Sequence, residues 1–191
     1  AIRSGKNRYT PTQGIPELRE RITRFEKTRG HAGAENTIVT SGVSGGILLA
    51  LMALLDPGDE VIVADPWFVM YPSVIRFLGG TPIFVDTYPD FQMDPDRVRR
   101  AVTRRTKAII VNSPANPTGA VLSEDRVRGV VAIAAKHEIT IISDEIYDGI
   151  FYETKPVSPS RFYENTLVLN GFSKSLAMTG WRVGYAFGPK E

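Results

Sequence analysis

Five short segments of this sequence, 42–44, Pro66-Trp67-Phe68, 112–119, 144–147 and Ser173-Lys174, hold side chains that could act together as a site. Lys174 lies in Gly171-Phe172-Ser173-Lys174, ahead of Met178-Thr179-Gly180-Trp181-Arg182-Val183-Gly184. A lysine kept near cationic or apolar groups can lose its proton and form a Schiff base, and an arginine can grip a phosphate. A lysine after a strand is equally at home as a solvated charge, so its neighbours decide. Asp144 closes the apolar run Ile141-Ile142-Ser143-Asp144-Glu145, where a carboxylate is costly unless it meets a positive partner. A pyridinium nitrogen would be such a partner; a helix cap or a magnesium ligand would also account for it. Tyr147 follows with a phenol able to reach the same ligand. In Asn112-Ser113-Pro114 and Asn116-Pro117-Thr118-Gly119, prolines fix a backbone that presents a side-chain amide, though a plain turn would read the same way. Gly42-Val43-Ser44 stands between a strand and a helix, where free N–H groups and the helix dipole suit a phosphate. Gly42-Val43-Ser44-Gly45-Gly46 also matches the nucleophile elbow of a hydrolase. That reading needs an acid and then a histidine after Ser44, and the histidine that follows, His137, falls at the end of an expected helix.

Such residues need a scaffold that brings loops together, and the apolar periodicity supplies one. Pro16 fits the first position of a helix whose stripe is Leu18, Ile22 and Phe25, with Gly30 as its stop. Strands are expected at 37–41, 60–65, 81–85, 107–112, 140–144, 166–170 and 183–187. Helices are expected at 44–55, 71–78, 95–101 with Asp94 as cap, and from Ser123 onward with Val127, Val130, Val131 and Ala134 on its buried face. The continuous apolar runs Ala108-Ile109-Ile110-Val111 and 139–142 imply strands covered on both faces. The expected fold is α/β, three layers of helix, sheet and helix around a mostly parallel sheet. Ligands then bind beyond the carboxyl ends of the strands, where the five segments fall.

The chain has 191 residues, 42% of them apolar, which suits one domain spanning 1–191. A net charge of +2 without basic runs argues against nucleic acid or an anionic membrane as partner. The absence of cysteine rules out thiolate chemistry and disulfides. No apolar run approaches the roughly 18–20 residues of a membrane span, and the cytoplasm is the default location.

Taken together, Tyr9-Thr10-Pro11-Thr12-Gln13-Gly14 with Leu18-Arg19, Asn116-Pro117-Thr118-Gly119, Asp144-Glu145-Ile146-Tyr147, and Ser173-Lys174 with Gly180-Trp181-Arg182-Val183-Gly184 resemble the motifs of the class I and II aminotransferases, pyridoxal 5'-phosphate (PLP) enzymes of fold type I. The resemblance implies that Lys174 forms the Schiff base with PLP, flanked by Ser173, and that Asp144 pairs with the pyridine nitrogen. It implies that Asn116 and Tyr147 bond the 3-oxygen, Phe68 stacks on the ring, and Val43, Ser44 and Arg182 hold the phosphate. Tyr9 would reach the phosphate of a neighbouring subunit, making a homodimer with shared sites. Cis peptides before Pro66 and Pro117 are implied as well. The implied reaction moves an amino group between an amino acid and a 2-oxo acid, with the displaced Lys174 carrying the proton between Cα and the cofactor's C4′.

One departure is Gly171, where many members place a serine on the phosphate. The family's N-terminal arm and C-terminal small domain, with its carboxylate-binding arginine, are expected to lie outside these residues. Two other readings share the resemblance: another fold type I PLP reaction, such as a β-lyase or synthase, or the effector-binding half of a transcription regulator.

Overall fold

A computed structural model of the chain describes residues 2–5 and 7–190. The expected alternation of strand and helix is present. Helix α1 (Pro16–Thr28) precedes strand β1 (Ile38–Thr40), α2 (Gly42–Leu54), β2 (Glu60–Asp65), α3 (Met70–Phe77) and β3 (Thr81–Asp86). Then come α4 (Pro95–Ala101), β4 (Thr106–Asn112), α5 (Glu124–Lys136), β5 (Thr140–Asp144), β6 (Thr166–Gly171) and β7 (Gly184–Phe187). The helix starts follow local chemistry. Pro16 and Pro95 sit in first turns, Asp94 accepts from the Asp96 amide at 2.7 Å, and Ser123 accepts from the Arg126 amide at 3.3 Å.

The strands form one seven-stranded sheet in the order β1-β7-β6-β5-β4-β2-β3. Pairings among β2 to β6 are parallel, whereas β7 runs antiparallel to both β6 and β1. Because successive strand residues face opposite sides, each apolar run feeds two cores at once. Ala108, Ile110 and Ile142 pack with Val43, Ile47 and Leu51 of α2 and Tyr71 and Ile75 of α3. Ile109, Val111 and Ile141 pack with Val98 of α4 and Val127, Val130 and Val131 of α5. The sheet is therefore sandwiched between helical layers, with a third apolar cluster of Ile22, Ala34, Val168, Tyr185 and Phe187 under α1.

Two expected details are corrected. Phe25 is 54% exposed, while Glu26, one residue on, is fully buried. At about 100° per residue, Leu18, Ile22 and Glu26 fall along one arc, and the buried direction is centred on Ile22 and Glu26, leaving Phe25 on its outer edge. Glu26 tolerates burial because the Tyr185 hydroxyl donates to it and Arg29 lies 3.6 Å away. Helix α2 begins at Gly42 rather than at Ser44, so Val43 and Ser44 belong to its first turn. Among the described residues, no helix is long and apolar enough to cross a membrane.

Candidate active site

The carboxyl ends of β2, β4, β5 and β6 and the start of α2 surround a cavity of about 200 Å³. Its walls include Val43, Ser44, Phe68, Asn116, Asp144, Tyr147, Ser173, Lys174 and Arg182, which lie up to 139 positions apart in the sequence. Nine of the ten residues singled out from the sequence are thus brought together. The tenth, Tyr9, is fully exposed and is not part of the wall. Neither histidine lines the cavity; His137 caps the end of α5, so Ser44 has no histidine beside it there.

Each wall has a local cause. At the end of β4, the Asn112 side chain accepts from the Asn116 amide at 2.8 Å and donates to the Asp144 carbonyl at 3.0 Å, tying the Asn116 loop to β5. The bonds Asp65-Pro66 and Asn116-Pro117 are cis, as the resemblance implied, and so are Tyr88-Pro89 and Ser113-Pro114. Asn116 Nδ2 stands 3.4 Å from the Tyr147 hydroxyl, so an amide and a phenol face one point. Lys174 Nζ lies 5.6 Å from the centre of the Tyr147 ring. Phe68 meets Tyr71 edge to face, with centroids 5.6 Å apart.

The anion-suited end is formed by two close approaches. Gly42 has φ +67°, and a Cβ there would stand 2.7 Å from Arg182 Nη2. A Cβ on Gly184 would come within 2.5 Å of the Gly42 carbonyl carbon. Glycine at both positions lets β7 and the Arg182 guanidinium press against the start of α2, so a fixed positive charge reinforces the unpaired N–H groups there. Arg182 itself has φ +51° and donates to the Thr179 carbonyl at 3.0 Å, which holds its side chain in place.

Asp144 is the buried carboxylate of the wall. Burial pushes its carboxyl up to about 6, although the Tyr71 hydroxyl, the Ile146 amide and the charge of Lys174 each pull it down. Tyr71 Oη donates to Oδ2 at 2.7 Å and the Ile146 N–H to Oδ1 at 3.2 Å. Burial, followed by the charge of Asp144, drives the Tyr71 phenol well above its ordinary value, so it remains a donor. Tyr71 was not recognisable as a site residue in the sequence, where it read as the start of a helix. The available signal was its phenol on the apolar face of that helix, which the core can hold only if the hydroxyl has a partner. Ile47, Ile146 and Thr179 also line the cavity without having been given a role, as does Asn112, whose segment was singled out.

The donor set fits PLP by its chemistry. The wall combines a buried carboxylate, an amide, a phenol, an amine and a guanidinium beside a helix start. The cavity adjoins a broad open groove of about 630 Å³ with which it shares Asn116 and Tyr147.

Comparison with known proteins agrees with this chemistry. Residues 1–191 match the family model described as aminotransferase class I and II. The aspartate/prephenate aminotransferase of Thermus thermophilus is 48% identical over 196 residues, covering 100% of this chain and 51% of that protein. The probable aspartate aminotransferase of Methanocaldococcus jannaschii is 43% identical over 187 residues, covering 97% of this chain and 50% of that protein. A solved structure of the Thermus thermophilus aspartate aminotransferase with maleate superposes with a TM-score of 0.93 at 48% identity, covering 100% of this chain and 51% of that one. The alanine aminotransferase from Pyrococcus furiosus gives 0.93 at 40%, covering 98% of this chain and 49% of that one. The chain spans about half the length of these relatives. It belongs to the class I and II aminotransferase family.

Proposed function

We propose that residues 1–191 form the cofactor-binding large domain of a PLP-dependent aminotransferase, which moves an amino group between an amino acid and a 2-oxo acid. The family uses PLP. The observation that carries the reading is the single cavity in which a buried carboxylate, a lysine amine and an arginine at a helix start face one another. Relatives named for aspartate and prephenate make an acidic amino acid the first donor to test.

When bound, PLP would supply the electron sink for the pair left at the substrate's Cα. Lys174 provides the amine that attaches the cofactor and, once displaced by substrate, carries the Cα proton. Asp144, held by Tyr71, keeps a proton on the ring nitrogen. Asn116 and Tyr147 orient the 3-oxygen, and Phe68 covers a ring face. Val43, Ser44 and Arg182 hold the phosphate, and Ser173 flanks Lys174. Tyr9, exposed on this chain, serves the phosphate of a second subunit in a homodimer, and we place the enzyme in the cytoplasm.

Mixing the purified protein with PLP should give an absorption band near roughly 360–430 nm that borohydride fixes covalently to Lys174. Lys174→Ala should lose both the covalent product and transamination. A band fixed to a different lysine, or near-normal turnover in Lys174→Ala, would end this reading.

A further inference from the structure

On the sheet face covered by α1, behind the cavity, lies a set of buried and half-buried polar groups for which the proposed chemistry has no use. Glu26 of α1, Arg29 at its C-cap, His31, Glu145, Asp148, Ser158 and Asn170 meet there. Its centre is Asp148 Oδ2, which accepts from Asn170 Nδ2 at 2.8 Å and from the Arg29 guanidinium. Asn170 is 3% exposed, and its own Oδ1 accepts from the Gly171 amide at 2.7 Å.

These contacts join the two turns that carry the site. Strands β5 and β6 run in register as far as Asp144 opposite Leu169, after which the Glu145 amide bonds the Leu169 carbonyl at 2.9 Å. Asp144 ends β5, Tyr147 belongs to the turn that follows it, and Lys174 belongs to the turn after β6. The Asp148 amide bonds the Glu145 carbonyl at 3.0 Å, which closes the first turn. The bridge from Asp148 through Asn170 to the Gly171 amide then reaches the residue where β6 leaves the sheet. The two turns also touch directly, since a Cβ on Gly149 would stand 3.0 Å from Ser175 Cβ. A shift of the first turn is therefore transmitted to the second.

We propose that Asp148, bridging Asn170 and Arg29, is a positioning residue that sets the spacing between the Asp144–Tyr147 turn and Lys174. The inference rests on the reading of the cavity as a PLP site and adds to it residues that do not touch the cofactor. One oxygen of Asp148 serves the Arg29 cation and the Asn170 amide together. Misplacement of reacting groups by about an ångström from a distant change costs on the order of a hundredfold in rate, so a bond at this remove is enough to matter.

A double-mutant cycle on the holoenzyme tests it. Asn170→Asp alone sets carboxylate against carboxylate. Adding Asp148→Asn restores one donor and one acceptor with their places exchanged. Asn170→Asp should weaken PLP binding about tenfold or more and shift the absorption maximum of the bound cofactor, and the double variant should recover the maximum and bind within about threefold of the unaltered protein. Asn170→Ala, which introduces no charge, gives the same reading if Asn170→Asp does not fold. A merely structural tie would lower the melting temperature of the cofactor-free protein while leaving affinity and absorption maximum in place, and that result would overturn the proposal. Failure of the double variant to recover affinity and absorption maximum would overturn it too. If the unaltered protein gives no band that borohydride fixes to Lys174, the cofactor reading falls and takes this inference with it.

Discussion

Tyr71 Oη sits 2.7 Å from Asp144 Oδ2, joining the first turn of α3 to the last residue of β5 across the apolar core of one helical layer. The carboxylate faces the cavity while its charge is held by a phenol and a backbone amide. Two donors are not enough to offset burial, since the carboxyl still rests at about 6. A cationic ring nitrogen would supply the missing compensation.

Tyr71→Phe should leave the fold intact and weaken PLP binding about tenfold, because a hydrogen bond to a charged group contributes about 1.5–3 kcal/mol. Fluorescence or absorbance titration of the variant checks this. Unchanged affinity would show that the phenol serves packing alone.

Asp144 also sets a pH dependence. Its raised carboxyl is mostly ionised at pH 7 and takes up a proton as pH falls through about 6. A protonated carboxyl cannot pair with a pyridinium, so binding below that pH must first expel the proton. The affinity advantage of the unaltered protein over Asp144→Asn should therefore shrink by about tenfold per pH unit below 6. Comparing the two proteins cancels the titration of the phosphate itself.

Glu145, next in the chain but facing the other side of the sheet, behaves differently. Burial pushes it up to about 8; the Ser158 and Ser143 hydroxyls pull it down, and the charges of Asp148 and Glu26 push it further up. A carboxyl whose folded value is raised contributes stability below its unfolded value of 4.5, and loses it as pH rises towards 8. Glu145→Gln keeps an oxygen for both serines and cannot ionise. Its stability relative to the unaltered protein should grow from pH 5 to pH 8 by a few kcal/mol, on the order expected for such a shift. Chemical denaturation at those two pH values measures it, and a constant difference would contradict the assignment.

Gly171→Ser, which installs the serine that the resemblance implies at this position, should not strengthen phosphate binding here. A Cβ at Gly171 meets Gly184 Cα at 3.0 Å and the Val183 carbonyl at 3.1 Å, both backbone atoms of the neighbouring strand region. The variant should lose about 1–3 kcal/mol of stability through overpacking, with PLP affinity unchanged or weaker. Thermal melting and a PLP titration of this variant would show either.

The sequence by itself determined the elements and most of the cavity wall. Proline and cap residues act within one turn, so Pro16, Asp94-Pro95 and Ser123 marked helix starts correctly, and the unbroken apolar runs at β4 and β5 announced a buried parallel sheet. Once the sheet is parallel, residues after its strands must meet at one edge, which is why Ser44, Asn116, Asp144 and Lys174 could be grouped without coordinates. Only the tertiary structure decided what depends on partners distant in the chain. It placed β7 antiparallel between β1 and β6, turned Glu26 inward and Phe25 outward, and set Tyr71 on Asp144. It also gathered Arg29, Asp148 and Asn170 behind the site. A charged or polar side chain is buried where a complementary group from another element meets it, and that pairing is a property of the packed fold rather than of any local pattern.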